Sequence, residues 1–387
     1  MGPLDGIQVL ELSETQAGCL AGMLLGDYGA NIIRVENPHA QDLRNKPGFV
    51  VWNRNKRSLS LDLSLPETKQ ILYRLLTRSD VLLETLHPTF MTGLGLGYEQ
   101  LHLKFPQLIY CSLSGYEKDG PDAGRPGYDG LVQARSGIMT GGNWSPITPN
   151  SAQSGHRDGP KYMGFAAPSY SAAFFSCLGI LTALYVRKET GTGQLVTNSL
   201  HGSAMAMSRW GWAEKPGPPP SPSRGLGGLW QCQDNEWIWT HTGSRGSFDR
   251  FMEVFELPEY MSTQPTALEW TQGLTREIRQ RVTELFRHKP RADWIQLFDQ
   301  SDCPNQPTMG PGFSFTDKQV QHIEMVTSVQ DPELGLIQEV ALPINFEKTP
   351  GEVKSSAPHL GEHTDEILQD LGLTPNEIEK LKISRAI

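Results

Sequence analysis

The residues whose types could support group-transfer chemistry are one serine, one histidine and two acidic side chains. Ser169 lies in the small-residue run 164–173, directly after a proline. With His156 as a general base it could act as a nucleophile, because a serine hydroxyl needs a base to attack a carbonyl carbon. Asp129 and Glu84 are the candidate carboxylates. The sequence shows neither which of these side chains are adjacent nor a third group that orients them, so none stands out alone.

Three other motifs favour structural explanations. The glycines of the segment 93–97 have the spacing of a dinucleotide loop, but they follow a helix-like stretch at 88–92, which is not the strand-then-helix context that such a loop needs and is typical of a turn. His359 and His363 are four residues apart, yet Gly361 stands between them and no third ligand is evident, so no metal site is predicted. The tryptophans of the segment 230–239 favour packing of a strand over stacking on a ligand.

Composition excludes several classes of function. The chain has 387 residues with a net charge of -9, which argues against non-specific binding to nucleic acid or to an anionic membrane. The N-terminal segment has no basic region, no cleavage site and no long apolar run, so we expect a cytoplasmic protein. Five widely separated cysteines without a CxxC pair indicate buried free thiols, with neither a disulfide framework nor a zinc cluster.

The elements that must position these side chains begin with a strand, helix and strand at 6–12, 17–28 and 31–36. Further strands are predicted at 81–84 and 108–114, with a helix at 66–77 preceding them. This alternation is typical of an open α/β sheet of the doubly wound type, whose loops carry the chemistry.

Ser169 is expected near the start of a long helix. Residues 166–186 are small and apolar almost throughout, which favours a buried helix over a membrane span because Pro168 and two serines lie at its start. Ser169 then lies in the first turn, close to the partial positive charge of the helix N-terminus.

The proline-rich segment 215–223 predicts a linker, because consecutive prolines enter neither helices nor central strands. We expect a smaller, mainly helical domain after it, which begins with a strand at 237–240. Strands then return at 335–341 and 344–346, and two helices begin at Thr364 and Pro375. The predicted domain bounds are 1–214 for the N-terminal part of the large domain, 215–227 for the linker, 228–310 for the small domain and 311–387 for the segment that completes the large domain.

Several phrases read together are more specific than any single motif. They occur in an order that resembles the class III CoA-transferases, the family of the formyl-CoA, carnitine-CoA and bile-acid-CoA transferases, and the closing phrase is similar to the C-terminal signature of that family. The phrases are NRNKRSLSLDL at 53–63, PGYDGLVQARSG at 126–137, GILTAL at 179–184, TGTGQ at 190–194 and PHLGEHTD at 358–365.

The resemblance implies a Rossmann-like large domain with a parallel sheet, a smaller domain, and a dimer whose two chains pass through one another as interlocked rings. It also implies a mechanism in which an aspartate attacks an acyl-CoA thioester and then itself carries CoA as a thioester. Alignment with the family places Ser169 at the position of this aspartate, and no acidic residue lies between 164 and 185. The racemase branch of the family needs a histidine near Tyr128, and none occurs between His102 and His156.

The resemblance further implies which residues lie along CoA, which is a substrate here and not a covalently bound cofactor. At four positions, basic side chains of the family are replaced in this chain, by Asn37, Ser64, Gly93 and Pro126. The residues predicted to line CoA are Gln16, Asn37, Lys56, Arg57 and Tyr128. Each charge-assisted contact to phosphate contributes about 1.5 to 3 kcal/mol, so the replacements should weaken CoA binding.

These observations favour the silent subunit of a heteromeric class III CoA-transferase, a heterodimer with a homologous chain that supplies the aspartate. Two-gene members such as the succinyl-CoA:benzylsuccinate CoA-transferases, which act in the degradation of aromatic acids, resemble this arrangement. The silent chain would complete the ring and help to shape the acceptor pocket through Trp144 and the glycine-rich loop 225–228. One alternative is an active homodimer in which Ser169 or Asp129 handles the acyl group. The other is a module that binds CoA esters without turnover.

Overall fold

The computed structural model describes residues 1–39, 42–139, 162–209, 227–243, 246–261 and 274–387. These residues form two compact units. The first contains the described residues up to 209 together with 318–387, and the second contains those between 227 and 317. His156, Trp144, the predicted linker 215–223 and the first two residues of the loop 225–228 lie outside the described residues.

The first unit is built on a six-stranded sheet with the order β3-β2-β1-β4-β5-β6, in which every neighbouring pair is parallel. The predicted fold class, α/β with a parallel sheet in the Rossmann manner, is confirmed. Strand order reverses direction between β1 and β4, which makes the gap between their carboxyl ends the topological switch point. The strands are β1 Gln8–Leu12, β2 Asn31–Glu36, β3 Lys56–Ser60, β4 Val81–Glu84, β5 Ile109–Ser114 and β6 Leu195–Ser199.

Helices cover both faces of this sheet. Successive strand residues point to opposite faces, so Leu82 packs in one core cluster and its neighbours Val81 and Leu83 pack in the other. Burial on both faces explains the continuous apolar runs of the strands. The helices of this part of the chain are α1 Gln16–Asp27, α2 Phe49–Trp52, α3 Thr68–Thr77, α4 Pro88–Gly93, α5 Tyr98–Lys104, α6 Asp129–Arg135, α7 Ala167–Thr190 and α8 Leu200–Arg209.

The C-terminal segment returns to the first unit and is held there by buried charge. Arg54 donates to Asp27 and to Glu339 at 2.7 and 2.8 Å, and its side chain is only 4% exposed. The predicted strand at 344–346 is wrong: this segment forms no strand, because its backbone bonds to the hydroxyl of Tyr28 instead of a neighbouring strand. The elements from 318 onward are α12 Lys318–His322, β10 Val326–Asp331, β11 Gly335–Val340, α13 Thr364–Asp370 and α14 Pro375–Ile383.

The described part of the second unit contains three helices that pack around an aromatic core. It also contains a small antiparallel sheet of order β7-β8-β9. Trp230 is buried and donates to the Thr240 hydroxyl at 2.8 Å. Trp237 and Trp239 point the other way along β8 and are 42% and 50% exposed. The elements are β7 Gly228–Gln231, β8 Trp237–Thr240, α9 Ser247–Val254, α10 Leu274–Phe286, α11 Arg291–Gln300 and β9 Asn305–Pro307.

Candidate functional site

The N-terminus of α7 lies at the carboxyl edge of the parallel sheet. At the far end of the helix, Arg187 pairs with Asp80, which precedes β4 at the amino edge, at 2.8 Å. Near the start of the helix, the carbonyl of Ala172 accepts from Asn198, close to the carboxyl end of β6, at 2.9 Å. Ser169 therefore lies at the edge where open α/β sheets bind their ligands.

Ser169 is hydrogen bonded to the carboxylate of Asp129. The Ser169 hydroxyl donates to Asp129 Oδ2 at 2.7 Å, and the Ser169 backbone N–H donates to the same oxygen at 2.9 Å. Ser169 is 4% exposed. Asp129, the first residue of α6, thus satisfies one of the free N–H groups at the start of α7, where a negative charge is favoured.

The buried side chain of Gln133 completes this arrangement. Its amide nitrogen donates to Asp129 Oδ1 at 2.9 Å and to the Phe165 carbonyl at 3.0 Å, while its oxygen accepts from the Met163 N–H at 3.1 Å. Gln133 therefore joins α6 to the segment that leads into α7. Both oxygens of the Asp129 carboxylate have donors from within the chain, and these bonds fix the direction of the carboxylate.

Of the other candidates, Glu84 lies at the carboxyl end of β4 and is 2% exposed. Burial raises its pKa, and hydrogen bonds from Ser112 and the Leu86 N–H oppose this shift. The Leu86 N–H lies 2.9 Å from Glu84 Oε2. Glu84 is thus part of a structural network at the switch point, separate from the contacts of Ser169 described above.

The two cations predicted along CoA have partners within the chain. The Lys56 ammonium is fully buried, 2.8 Å from Glu11 Oε2 and 2.9 Å from Asn53 Oδ1. Arg57 pairs with Glu366 on α13 at 2.7 Å. Both stand at the beginning of β3, which is the amino edge of the sheet. A contact of either cation with CoA stays a prediction.

The other three predicted residues lie at the carboxyl edge. Gln16 is the half-buried first residue of α1, Asn37 follows β2 and accepts from the His39 N–H at 2.9 Å, and Tyr128 precedes α6 and is 71% exposed. The loops that follow β1 and β4 are tied together here, since the Glu14 N–H donates to Thr85 Oγ1 at 2.9 Å. Polar groups of several loops thus gather at one edge of the sheet.

A doubly wound parallel sheet with polar residues at its carboxyl edge is the architecture of α/β proteins that bind nucleotides and coenzymes. Comparison with protein families narrows this class, because the model of CoA-transferase family III matches residues 4–364. The chain belongs to this family, as the sequence motifs indicated.

Individual relatives agree with this assignment. Over its whole length the chain is 29% identical to succinyl-CoA:glutarate CoA-transferase of Mus musculus, of which it covers 91%. It is 28% identical to the beta subunit of succinyl-CoA--L-malate CoA-transferase of Chloroflexus aurantiacus and covers 98% of that protein. A CAIB/BAIF family protein from Brucella suis superposes with a TM-score of 0.79 at 26% identity, and 96% of this chain and 99% of that one are covered.

The Ser169–Asp129–Gln133 contacts are the part of the site that sequence reasoning missed. Asp129 and Ser169 were both singled out as candidates, but they are 40 residues apart and separated by the segment 140–161, which lies outside the described residues. The phrase at 126–137 contained both Asp129 and Gln133 at the spacing of one helical turn, and this was the available signal.

Proposed function

We propose that this chain is a subunit of a class III CoA-transferase, which moves CoA from an acyl-CoA donor such as succinyl-CoA to an organic carboxylic acid, and that it does not supply the nucleophile. A homologous chain with an aspartate at the position of Ser169 would supply it, in a heterodimer. The observation that carries this proposal is the serine at the N-terminus of α7, with its hydroxyl engaged by Asp129.

The reaction requires a carboxylate on the enzyme. An enzyme carboxylate oxygen attacks the thioester carbonyl, the C–S bond breaks, and a mixed anhydride and the CoA thiolate form. The thiolate then attacks the enzyme acyl carbon, releasing the donor acid and leaving CoA as an enzyme thioester. The acceptor carboxylate attacks this thioester, CoA leaves again, and its attack on the acceptor acyl carbon gives the new acyl-CoA and restores the enzyme carboxylate.

Ser169 cannot perform the second of these steps. Acylation of its hydroxyl would give an ordinary ester and release CoA, and the serine itself has no acyl carbon to which CoA could return. The hydroxyl is already a donor to Asp129, so this pair is an internal contact of the fold.

A second chain is supported by the comparisons. One relative is named as the beta subunit of a succinyl-CoA transferase. Both ends of the present chain contribute to the first unit while the second unit lies between them in sequence, which suits the interlocked rings expected for the family. We therefore propose a cytoplasmic complex in which this subunit has a structural or regulatory role.

Purification of the chain alone and together with a homologue that carries the aspartate tests the proposal. Succinyl-CoA is offered with a panel of carboxylic acids, and new CoA esters are separated by liquid chromatography. We expect transfer by the complex and none by the lone chain. A Ser169→Ala variant in the complex should keep the activity, and robust transfer by the lone wild-type chain would overturn the proposal.

One distance favours a second candidate function, that of an active homodimer. A carboxylate oxygen of Asp129 lies 2.7 Å from the Ser169 hydroxyl, so an acidic side chain is present next to the position of the family's nucleophile. An active homodimer could use Asp129 in the reaction above. Trapping with hydroxylamine after incubation with acyl-CoA, followed by mass spectrometry, would place a covalent mark on Asp129 in this case and leave Asp129 unmodified if the chain is silent.

A further inference from the structure

Arg279 on α10 is withdrawn from solvent without a carboxylate beside it. It is half-buried, burial lowers the pKa of its guanidinium, and no carboxylate of the described chain opposes that shift. By contrast, the buried Arg34 and Arg54 of the first unit pair with Glu11 and Asp27. Removing an unpaired cation from water is unfavourable, so the environment of Arg279 is that of a residue whose anion comes from outside the chain.

Two contacts fix the position of the Arg279 guanidinium, and neither neutralises it. Its central carbon lies 4.9 Å from the centroid of the Trp230 ring, and Trp230 stacks in turn on Phe286 with 5.2 Å between the ring centroids. Arg279 Nη2 donates to the Gly227 carbonyl at 3.4 Å, which is long for such a bond. A guanidinium has five N–H donors, so most of those on Arg279 have no acceptor in the described chain.

A second polar side chain near Gly227 also lacks a partner. Thr242 is 3% exposed, and its hydroxyl oxygen has no hydrogen-bond partner in the part of the chain that the structure describes. The Thr242 nitrogen lies 3.6 Å from the point where a side chain at Gly227 would begin, and Arg279 Nη1 lies 3.3 Å from the same point at Gly228. Arg279 and Thr242 therefore flank two neighbouring glycines, neither of which has a side chain to fill the space. A buried hydroxyl without a partner is unfavourable unless a ligand satisfies it.

We propose that the second unit binds the carboxylate of an organic acid at the Arg279 site, formed by Arg279, Thr242 and the backbone at Gly227 and Gly228. The guanidinium donates through two N–H groups, whose fork matches the two oxygens of a carboxylate, and the Thr242 hydroxyl is a further donor. Charge favours a carboxylate over a phosphate. Among the described residues no second cation shifts the pKa of Arg279, so one positive charge is available for one negative charge.

The Arg279 site lies within the second unit and does not depend on whether the chain is silent. The choice of probe alone rests on the proposed function, in which succinyl-CoA and an organic acid are the substrates. A chain that binds succinate here and transfers no CoA would leave this inference intact. Conversely, a complex that transfers CoA while Arg279 has no effect on succinate binding would refute the Arg279 site and leave the proposed function standing.

The first test is chemical modification of the wild-type chain by phenylglyoxal, which reacts with accessible guanidinium groups, at constant ionic strength. Mass spectrometry of peptides assigns each modified arginine. We expect succinate to slow the modification of Arg279 by about 10-fold or more, and neutral succinamide to leave it unchanged. Arg281 on the same helix is the internal control, because its side chain is 50% exposed and pairs with Glu259 at 2.7 Å. Equal rates at Arg279 with and without succinate would overturn the proposal, and so would an Arg279 that never reacts, since another group would then cover it.

The second test is calorimetric titration of the full chain with succinate. Arg279→Gln should weaken binding by about 10- to 150-fold, the effect of losing one charge-assisted hydrogen bond, and Thr242→Val by about 2- to 10-fold. Arg279→Lys should also weaken it, because an ammonium group lacks the fork. Arg281→Gln, the matched control, removes the same charge from the same helix and should leave binding unchanged, and circular dichroism confirms the fold of each variant.

Two results of this titration would refute the Arg279 site as a carboxylate site. The first is equal affinity of the wild type and Arg279→Gln for succinate. The second comes from adenosine 3′,5′-bisphosphate, which carries phosphates and no carboxylate. If this compound protects Arg279 from phenylglyoxal and succinate does not, the ligand is a phosphate and the assignment to an organic acid is wrong.

Discussion

Replacement of Ser169 by aspartate is the sharpest test of the site. Under our proposal the variant supplies the aspartate that this chain lacks, and it also places a second carboxylate beside Asp129, whose Oδ2 is 2.7 Å from the present hydroxyl. We therefore expect repulsion between the two carboxylates to destabilise the fold, whether or not the variant gains catalytic activity.

The penalty can be estimated from the distance. Two carboxylates about 4 Å apart interact with about 4 kcal/mol at an effective dielectric constant of about 20. A negative charge at the N-terminus of α7 recovers about 0.3 to 1 kcal/mol. We expect Ser169→Asp to lower the free energy of unfolding by about 3 kcal/mol at pH 8, and by less at pH 4, where protonation of a carboxyl removes the repulsion.

The assay is urea unfolding followed by circular dichroism at both pH values. Ser169→Asn is the matched control, because it has the size of aspartate without the charge. The double variant Ser169→Asp with Asp129→Asn should regain most of the lost stability, since the neutral amide leaves one carboxylate. Mass spectrometry after incubation with succinyl-CoA would show whether residue 169 now carries CoA as a thioester.

Two results would refute this reasoning. If Ser169→Asp and Ser169→Asn have equal stability at pH 8, the side chain at position 169 does not meet Asp129. If Asp129→Asn fails to relieve the loss, the penalty has another origin. Either result would remove the contact on which our proposal of a silent site rests.

Three further predictions concern the surroundings of the site and the core. Gln133→Leu leaves Asp129 Oδ1 without its Gln133 donor and should lower the free energy of unfolding by about 2 to 4 kcal/mol in urea, whereas the exposed control Gln100→Leu should change it little. Arg54→Met removes the cation that pairs with two buried carboxylates, Asp27 and Glu339, and should lower the free energy of unfolding by about 3 to 5 kcal/mol. Burial raises the pKa of both carboxyls and Arg54 opposes this shift, so the loss should be smaller in acid, where the carboxyls are protonated. A loss that does not depend on pH would contradict this account. Burial raises the pKa of Cys232 and Cys303 to about 11 and that of Cys111 to about 12. A thiol reagent at pH 8 should therefore react slowly with the folded chain, whereas in urea it should react quickly with all five thiols. Rapid labelling of the folded chain would disprove the burial.

Much of the fold was predictable because its signals are local. The strands at 31–36, 81–84 and 237–240 were predicted with the bounds that the structure gives. β3, KRSLS, and β6, LVTNS, consist mostly of polar residues and were not predicted as strands. Ile344 and Phe346 have strand-forming side chains, but contact with Tyr28 determines their conformation, and such a contact between residues over 300 positions apart leaves no local pattern.

The candidate site was less predictable, because charge in a sequence does not reveal its partner. Lys56 and Arg57 were singled out as cations for CoA, yet Glu11 and Glu366 lie beside them in the structure. Whether a cation neutralises a buried carboxylate or stays free for a phosphate depends on which strands become neighbours. Gln16 and Asn37 were named only because the resemblance to the family implies them, and both lie at the carboxyl edge of the sheet, where open α/β sheets bind their ligands.

If this chain lacks the family's aspartate at position 169, as we propose, its pairing of Ser169 with Asp129 gives the replacement a stabilising role. An aspartate at position 169 would stand beside the carboxylate of Asp129, and the fold would bear the repulsion between them in return for a nucleophile. Serine at this position turns that repulsion into a hydrogen bond of 2.7 Å, and the Ser169 N–H adds a second bond to the same oxygen. Asp129 then serves as a cap for α7, a role that a lone carboxylate fills well. The silent chain that we propose would gain stability at this point, and the expected fall in stability of Ser169→Asp measures how much.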